Sequence, residues 1–299
     1  MSNKEHPPQL HVPVLLNAAI NVIKPIQGES YLDLTAGYGG HARAFLDKTD
    51  NYKDSVLVDR DEFAISNLKF LEDKGAKLVN LDFVSAAKAL IKDNKKFDIV
   101  FVDLGVSSPQ LDLAQRGFSF MKDGPLDMRM DTRQNLTAEK VVNTYSEKQI
   151  QNIIVKYGEE SYGFAARIAK SIVRHRPITT TKQLADLVIE QHRGSWQRTN
   201  PSTRTFQALR IAVNRELDQL TELLNLLPKL VNLNGRVGII SFHSLEDRIV
   251  KNYFKDQDSS GYEALFKNVT KKPLLGSDND VNNPRSRSAK LRVALKIKK

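Results

Sequence analysis

At 299 residues, 40% hydrophobic and 27% charged, the chain has the apolar content for one large or two ordinary folded domains. It contains no cysteine, which excludes disulfides, thiolate metal sites and methylation at cytosine C5, a reaction that ordinarily begins with thiolate addition to the ring. A formal net charge of +10 and a pI of ≈ 9.5 favour polyanionic partners.

From Met1 to His11 the chain is polar and lacks an apolar signal core, and no later stretch approaches the roughly 20 apolar residues of a membrane span. A soluble, cytoplasmic protein with no membrane partner is expected. Residues 12–23 predict a short helix, stopped by Pro25. His11 ahead of it either places an imidazole near a site or belongs to a plain lead-in. Leu32-Asp33-Leu34 reads as an apolar strand carrying one carboxylate, followed by a turn through Gly37, Gly39 and Gly40 into a helix over 40–46. Glycines there let the backbone approach a ligand where a Cβ would collide. Asp33 lies on the strand rather than in the loop, a placement more typical of a nucleoside-sulfonium site than of a pyrophosphate site. Gly37-x-Gly39-x-x-Ala42 also satisfies the dinucleotide fingerprint, so an NAD-dependent oxidoreductase is a rival reading.

Ser55-Val56-Leu57-Val58-Asp59 predicts a second buried strand, ending in a carboxylate 26 residues after Asp33 (59 − 33). That is close to the spacing at which an acid at the second strand tip accepts hydrogen bonds from ribose hydroxyls. A turn or helix cap at Asp59 is the plainer alternative. Helices over 62–71 and 84–92 flank a third strand over 76–81, and Phe83 near its tip either flanks an adenine or packs in the core. Phe97-Asp98-Ile99-Val100-Phe101-Val102-Asp103 is almost continuously apolar, as a strand buried on both faces is. Alternating strands and helices give an α/β, doubly wound parallel sheet with ligands at the carboxyl ends of the strands, where Asp33, Asp59 and Asp103 belong.

The run Asp103-Leu104-Gly105-Val106-Ser107-Ser108-Pro109-Gln110-Leu111-Asp112 leads to Arg116-Gly117-Phe118-Ser119-Phe120 and Pro125-Leu126-Asp127-Met128-Arg129-Met130. With the opening glycine loop, these blocks resemble the bacterial ribosomal RNA small-subunit (cytosine-N4-)-methyltransferases, the H-type enzymes. The resemblance recurs from His11 to Arg292. It implies a class I S-adenosylmethionine-dependent methyltransferase (Rossmann-like) sheet and methyl transfer to the exocyclic N4 of a cytidine in the decoding region of 16S ribosomal RNA. Free RNA or the assembled small ribosomal subunit is the implied partner. Cofactor contacts are implied at Gly39, Gly40, His41, Asp59, Phe83, Asp103 and Gln110, of which His41 and Gln110 rest on the resemblance alone. The sequence departs from the family at Asn234, where a second glycine is common, and at Leu295, where an acidic residue is usual.

From about Leu113 to Leu217 the strand signal disappears. Helices are predicted over 137–145, 146–157, 164–174 and 181–192, the last opened by a capping box at Thr180 and Gln183. A longer helix over 203–227 carries Phe206, Leu209, Val213, Leu217, Leu220, Leu224 and Leu227 at threes and fours, and Pro228 ends it. An all-helical domain over 113–217 is thus inserted into a discontinuous core of 1–112 and 218–299. Substrate recognition or mere stabilisation are its two readings. Arg193, Arg198, Arg204, Arg210 and Arg215, interleaved with Trp196 and Phe206, suit single-stranded RNA, or form a solvated basic face.

A fifth strand over 235–242 returns to the sheet, and Ser244-x-x-Asp247 beyond it fits a helix start. His243 either approaches the substrate base or orients a loop. A closing strand over 288–298 lies in a basic tail from Pro284 to Lys299, a candidate for RNA phosphates.

No metal is expected for the implied reaction, because a sulfonium already makes its methyl electrophilic. The obstacle is the N4 lone pair, which is delocalised into the ring. Acceptors placed on the N–H groups pull it out of conjugation, and in-line positioning does most of the rest. The candidates are the Asp103 carboxylate and the backbone or hydroxyls of Ser107 and Ser108. Where amino-methyltransferases often carry a polar-Pro-Pro-aromatic motif, this chain reads Ser108-Pro109-Gln110, which leaves Phe118 and Phe120 as candidate stacking partners. A non-catalytic RNA-binding factor is a further rival, opposed by the intact glycine loop and three strand-tip carboxylates.

Overall fold

A computed structural model describes residues 13–193 and 200–299; His11, Trp196 and Arg198 lie outside the described residues. The chain divides into two compact units, Met1–Gly105 with Asp218–Lys299, and Val106–Leu217.

The first unit is built on a sheet of eight strands: β1 (Tyr31–Asp33), β2 (Val56–Val58), β3 (Lys77–Val79), β4 (Phe97–Asp103), β5 (Val231–Ser241), β6 (Phe266–Asn268), β7 (Leu274–Leu275) and β8 (Lys290–Lys296). Their order is β3-β2-β1-β4-β5-β8-β6, with β7 also paired to β8. β1 to β5 run parallel, and β8 is antiparallel to both β5 and β6. Side chains alternate between two cores. Leu32, Val56, Val58, Val100, Val102 and Ile239 enter one, and Tyr31, Leu57, Ile99, Phe101 and Ile240 enter the other. Burial on both faces is why these strands read as continuous apolar runs.

Helices Gly40–Thr49 and Phe83–Lys92 start within a residue of their predicted positions, the latter capped by Asp82, which accepts from the Val84 and Ser85 amides at 3.0 Å. The helix expected over 12–23 is only Leu16–Ile23, because Leu15 stands at φ +56°. The single helix expected over 62–71 is two short ones, Glu62–Ser66 and Lys69–Glu72. Asn67 Nδ2 donates to the Phe63 carbonyl at 2.7 Å, ending the first as a local side-chain competitor does. Asn234 holds φ +65°, a left-handed conformation that asparagine tolerates and glycine adopts freely. Leu295 stands opposite Arg236 in the β5–β8 register. The Arg236 guanidinium is paired with Glu29 instead, Nη2 to Oε2 at 2.6 Å.

The long helix expected over 203–227 breaks at Arg215, whose φ is +52°, into Ser202–Asn214 and Glu216–Leu230. Pro228 lies inside the second helix rather than ending it. The buried Lys296 ammonium donates to the Pro228 carbonyl and, at 2.8 Å, to that of Val231, closing the helix end with an ammonium where one is electrostatically favoured.

The second unit is helical, with Ser108–Asp112, Ala138–Thr144, Glu147–Gly158, Tyr162–Arg174, Thr181–Glu190 and Ser202–Asn214. Capping boxes stand at Ser146/Gln149 and at Thr180/Gln183. Val141, Ile154, Ile168, Ile172, Leu184 and Leu209 form its core. Phe118 is buried in that core and Phe120 packs edge-on against Phe206 at 4.9 Å, so both expected base-stacking rings are packing residues here. Among the described residues no helix is long and apolar enough to cross a membrane.

Candidate functional site

The parallel strands bring three aspartates to one edge. β1 ends on Asp33, β4 ends on Asp103, and Asp59 immediately follows β2. The loop after β1 is fastened to β2 by the Ala36 amide, which donates to the Val58 carbonyl at 2.8 Å, and by the Gly37 amide, which donates to Asp59 Oδ2 at 2.8 Å. Asp59 Oδ1 accepts from the Asp61 amide at 2.8 Å, so this carboxylate braces two turns. Each of its oxygens keeps a second lone pair for a ligand hydroxyl. Burial raises the Asp59 pKa, against the lowering effect of these two amides.

Gly39 holds φ +77° and caps helix Gly40–Thr49. A Cβ on Gly39 would lie 2.7 Å from Leu68 Cδ2, and one on Gly40 would lie 2.3 Å from Pro13 Cγ. The left-handed φ at Gly39 and the proline ring against Gly40 thus favour glycine on the protein side, whatever a ligand adds on the other.

Asp33 is buried and accepts from the Tyr31 hydroxyl at 2.7 Å and the Thr35 amide at 3.1 Å. Burial pushes its pKa up to about 7. Thr35 Oγ1 in turn accepts the Asp103 amide at 2.6 Å. Asp103 Oδ2 lies 3.6 Å from His41 Nε2, and the His41 ring tilts against Phe101 at 4.7 Å. Asp103 Oδ1 is buried without a hydrogen-bond partner among the described residues. Burial, then Asp33, then Glu246 hold the Asp103 pKa well above the carboxylate range. A buried acceptor left unmet costs about 1–3 kcal/mol, which a donor on a bound molecule would offset. The edge therefore fits a ligand carrying hydroxyl or amino donors: acceptors at Asp59 and Asp103, and a tight glycine turn between them.

Phe83 is buried in a core cluster, and the Arg60 guanidinium lies 5.4 Å from its ring centroid. His243 is the N-cap of helix Ser244–Ser259, one residue before the helix start expected at Ser244, and its Nδ1 accepts from the Glu246 amide at 3.4 Å. Within the second unit, Gln110 is buried and its Oε1 accepts from the Ser107 amide at 3.1 Å. Ser108 opens the short helix Ser108–Asp112 with its backbone; its side chain lies outside what the structure describes.

Tyr31, Thr35 and Arg60 escaped the sequence reading. Thr35 alone carried a signal, as a hydroxyl two residues after the strand carboxylate. The basic tail is partly consumed by the fold: Arg292 Nε and Lys290 Nζ reach Asp247 at 2.7 and 3.2 Å, and Lys296 is buried. In the basic helical stretch, Arg210 forms a two-pronged pair with Glu216 at 2.9 and 2.8 Å, so it is not part of an open basic face.

The sequence pattern of the MraW methylase family matches residues 8–297. A ribosomal RNA small subunit methyltransferase H from Cyanothece sp. is 45% identical over 292 residues, spanning 97% of this chain and 96% of its own. The protein of the same name from Gloeothece citriformis is 44% identical over 293 residues, 95% of this chain and 93% of its own. That from Rickettsia massiliae is 42% identical over 308 residues, 97% and 99%.

Proposed function

This chain belongs to the MraW methylase family, and from that premise we propose that it methylates the exocyclic N4 of a cytidine in small-subunit ribosomal RNA. The sheet order with antiparallel β8, and the helical insertion between β4 and β5, make up the class I S-adenosylmethionine-dependent methyltransferase fold. The methyl donor is S-adenosylmethionine. When bound, it supplies an electrophilic methyl on a positively charged sulfur.

The observation that carries the reading on the protein side is the set of three carboxyl groups at one sheet edge, with the glycine turn fixed between them. Asp59 accepts the ribose hydroxyls, while Gly39 and Gly40 keep the loop close to the cofactor. Phe83, backed by Arg60, gives an apolar wall for the adenine. His41 steadies Asp103. The Asp103 oxygen that has no partner accepts from the cytosine amino group, localises the N4 lone pair and then takes the proton. A raised pKa makes Asp103 the stronger base for that step once it is ionised. Ser107, Ser108 and Gln110 enter through their place in the chain, four to seven residues after Asp103. Gln110 holds the Ser107 turn, and Ser107 and Ser108 offer further acceptors. The helical unit recognises the RNA.

Mass spectrometry of nucleosides from small-subunit RNA, in cells with and without the protein, tests this. N4-methylcytidine is expected to vanish without the chain, return with the wild type, and fail to return with Asp103→Ala, whose RNA binding is retained. An unchanged nucleoside profile would overturn the cytidine assignment. Restoration by Asp103→Ala would overturn the role of that carboxylate.

A further inference from the structure

We propose that a cavity where β5 ends and β8 begins is a subsite for a phosphodiester of the RNA substrate; this rests on the reading of the chain as an RNA methyltransferase. The cavity measures ≈ 330 Å³ and is lined by Phe242, His243, Ser244, Arg287, Ser288 and Lys290 among others. It has room for a phosphate with part of its sugar, at the small end of ligand sites.

Its place on the sheet ties it to the site. β5 pairs with β4 on one side, Ile240 opposite Asp103, and with β8 on the other, Ser241 opposite Lys290. The cavity therefore opens on the same carboxyl edge as Asp103, about two strand spacings or ~10 Å away. A strand that presents a base to Asp103 can lay a neighbouring phosphate there.

The charges favour an anion. Of the acids nearby, Asp247 is held by Arg292 and Lys290 at 2.7 and 3.2 Å, and Asp278, exposed to solvent, accepts from the hydroxyl of the lining Ser277 at 2.8 Å. Glu246 Oε2 is engaged by the Phe242 amide at 2.9 Å. Arg287 is exposed, lines the cavity and has no hydrogen bond or ion pair among the described residues, so its guanidinium fork is not taken up by the protein. That fork matches phosphate oxygens two at a time. Lys290 has three donors and gives Asp247 one, and the exposed Ser288 adds a hydroxyl. A phosphodiester uses all three kinds of donor; an uncharged ligand would leave the Arg287 guanidinium without a counter-charge.

Steady-state kinetics on the full chain test the subsite, with small-subunit RNA from cells lacking the protein as substrate. Arg287→Gln is expected to raise the KM for RNA about five- to tenfold, leave the KM for S-adenosylmethionine alone, and lower the salt slope of RNA binding by about one. Lys251→Gln, the same charge change at an exposed position on helix Ser244–Ser259 away from the cavity, controls for general charge. Equal shifts in the two variants, or none, overturn the subsite. Should the wild type transfer no methyl to RNA, the functional reading fails by itself. Filter binding of the same RNA then still decides the subsite: weakening by Arg287→Gln alone upholds it, and equal retention overturns it. Inorganic phosphate that binds the wild type as tightly as the RNA does, by calorimetry, would mark a free-anion site and overturn the phosphodiester assignment.

Discussion

The hydroxyl oxygen of Thr35 accepts the backbone amide of Asp103 across 2.6 Å, tying the glycine loop after β1 to the last residue of β4. The Thr35 amide is itself held by Asp33 Oδ1 at 3.1 Å, so one threonine joins the carboxylate of Asp33 to the backbone of Asp103. Thr35→Val keeps the shape and removes the acceptor. It is expected to cost about 1–3 kcal/mol in chemical denaturation. It should also lower kcat about tenfold, with a smaller change in cofactor affinity, because the displaced group is Asp103. Unchanged kcat in single-turnover assays would show that the clamp does not set the position of that carboxylate.

Gly39→Ala meets two obstacles, a φ of +77° and Leu68 Cδ2 at 2.7 Å from the new Cβ. The left-handed backbone alone costs an alanine about 1–2 kcal/mol. A lower thermal midpoint with weakened S-adenosylmethionine binding by calorimetry is the expected pair of results. Lost stability with intact binding would show that the turn serves packing alone.

Stability should depend on pH through Asp33. Its pKa rises from 3.8 to about 7 on folding, chiefly by burial. The folded state therefore binds the proton more tightly than the unfolded one. The stabilisation from this group is complete below 3.8 and is lost as the pH rises to about 7. Urea midpoints should thus fall between pH 5 and 7.5 more steeply in the wild type than in Asp33→Asn, which keeps an acceptor for the Tyr31 hydroxyl. Parallel pH profiles would place the titration elsewhere.

How much of this was legible in the sequence depended on the range of the interaction. Strand Phe97–Asp103 and the Thr180/Gln183 cap were readable because each is a local pattern: two-face burial in one case, a three-residue spacing in the other. The break at Arg215 was not. Phe206, Leu209 and Val213 serve the helical core, while Leu220, Leu224 and Leu227 serve a core of the sheet unit. Apolar spacing runs on through the change of core and so conceals it. Strand-tip carboxylates were visible as residue types at strand ends. The Thr35 clamp was not, since its partner stands 68 residues away. For the same reason the basic tail looked open: charge counting sees Arg292 but not Asp247, 45 residues earlier.

Lys296 offers a direct test of that tail's structural share. Its ammonium is buried against the Pro228 and Val231 carbonyls, and burial lowers its pKa. Lys296→Met retains the apolar stem and strips both carbonyls of their donor. A loss of about 2–4 kcal/mol in guanidinium denaturation is expected, with no change in the salt dependence of RNA binding. A reduced salt slope at full stability would instead assign this lysine to the RNA.

The position of β8 sets the order in which the sheet can be finished during synthesis. β5 and β6 are neighbours in the chain but not in the sheet, because β8 runs between them and is translated after both. Until residues 290–296 emerge from the ribosome, β5 exposes an unpaired edge next to the strand tip of Asp103. A nascent chain paused before that point holds the glycine loop and all three aspartates, yet leaves the far side of β5, the neighbour of β4, without its partner strand. Premature termination there would release a sticky half-sheet, a substrate for proteolysis rather than a weaker enzyme.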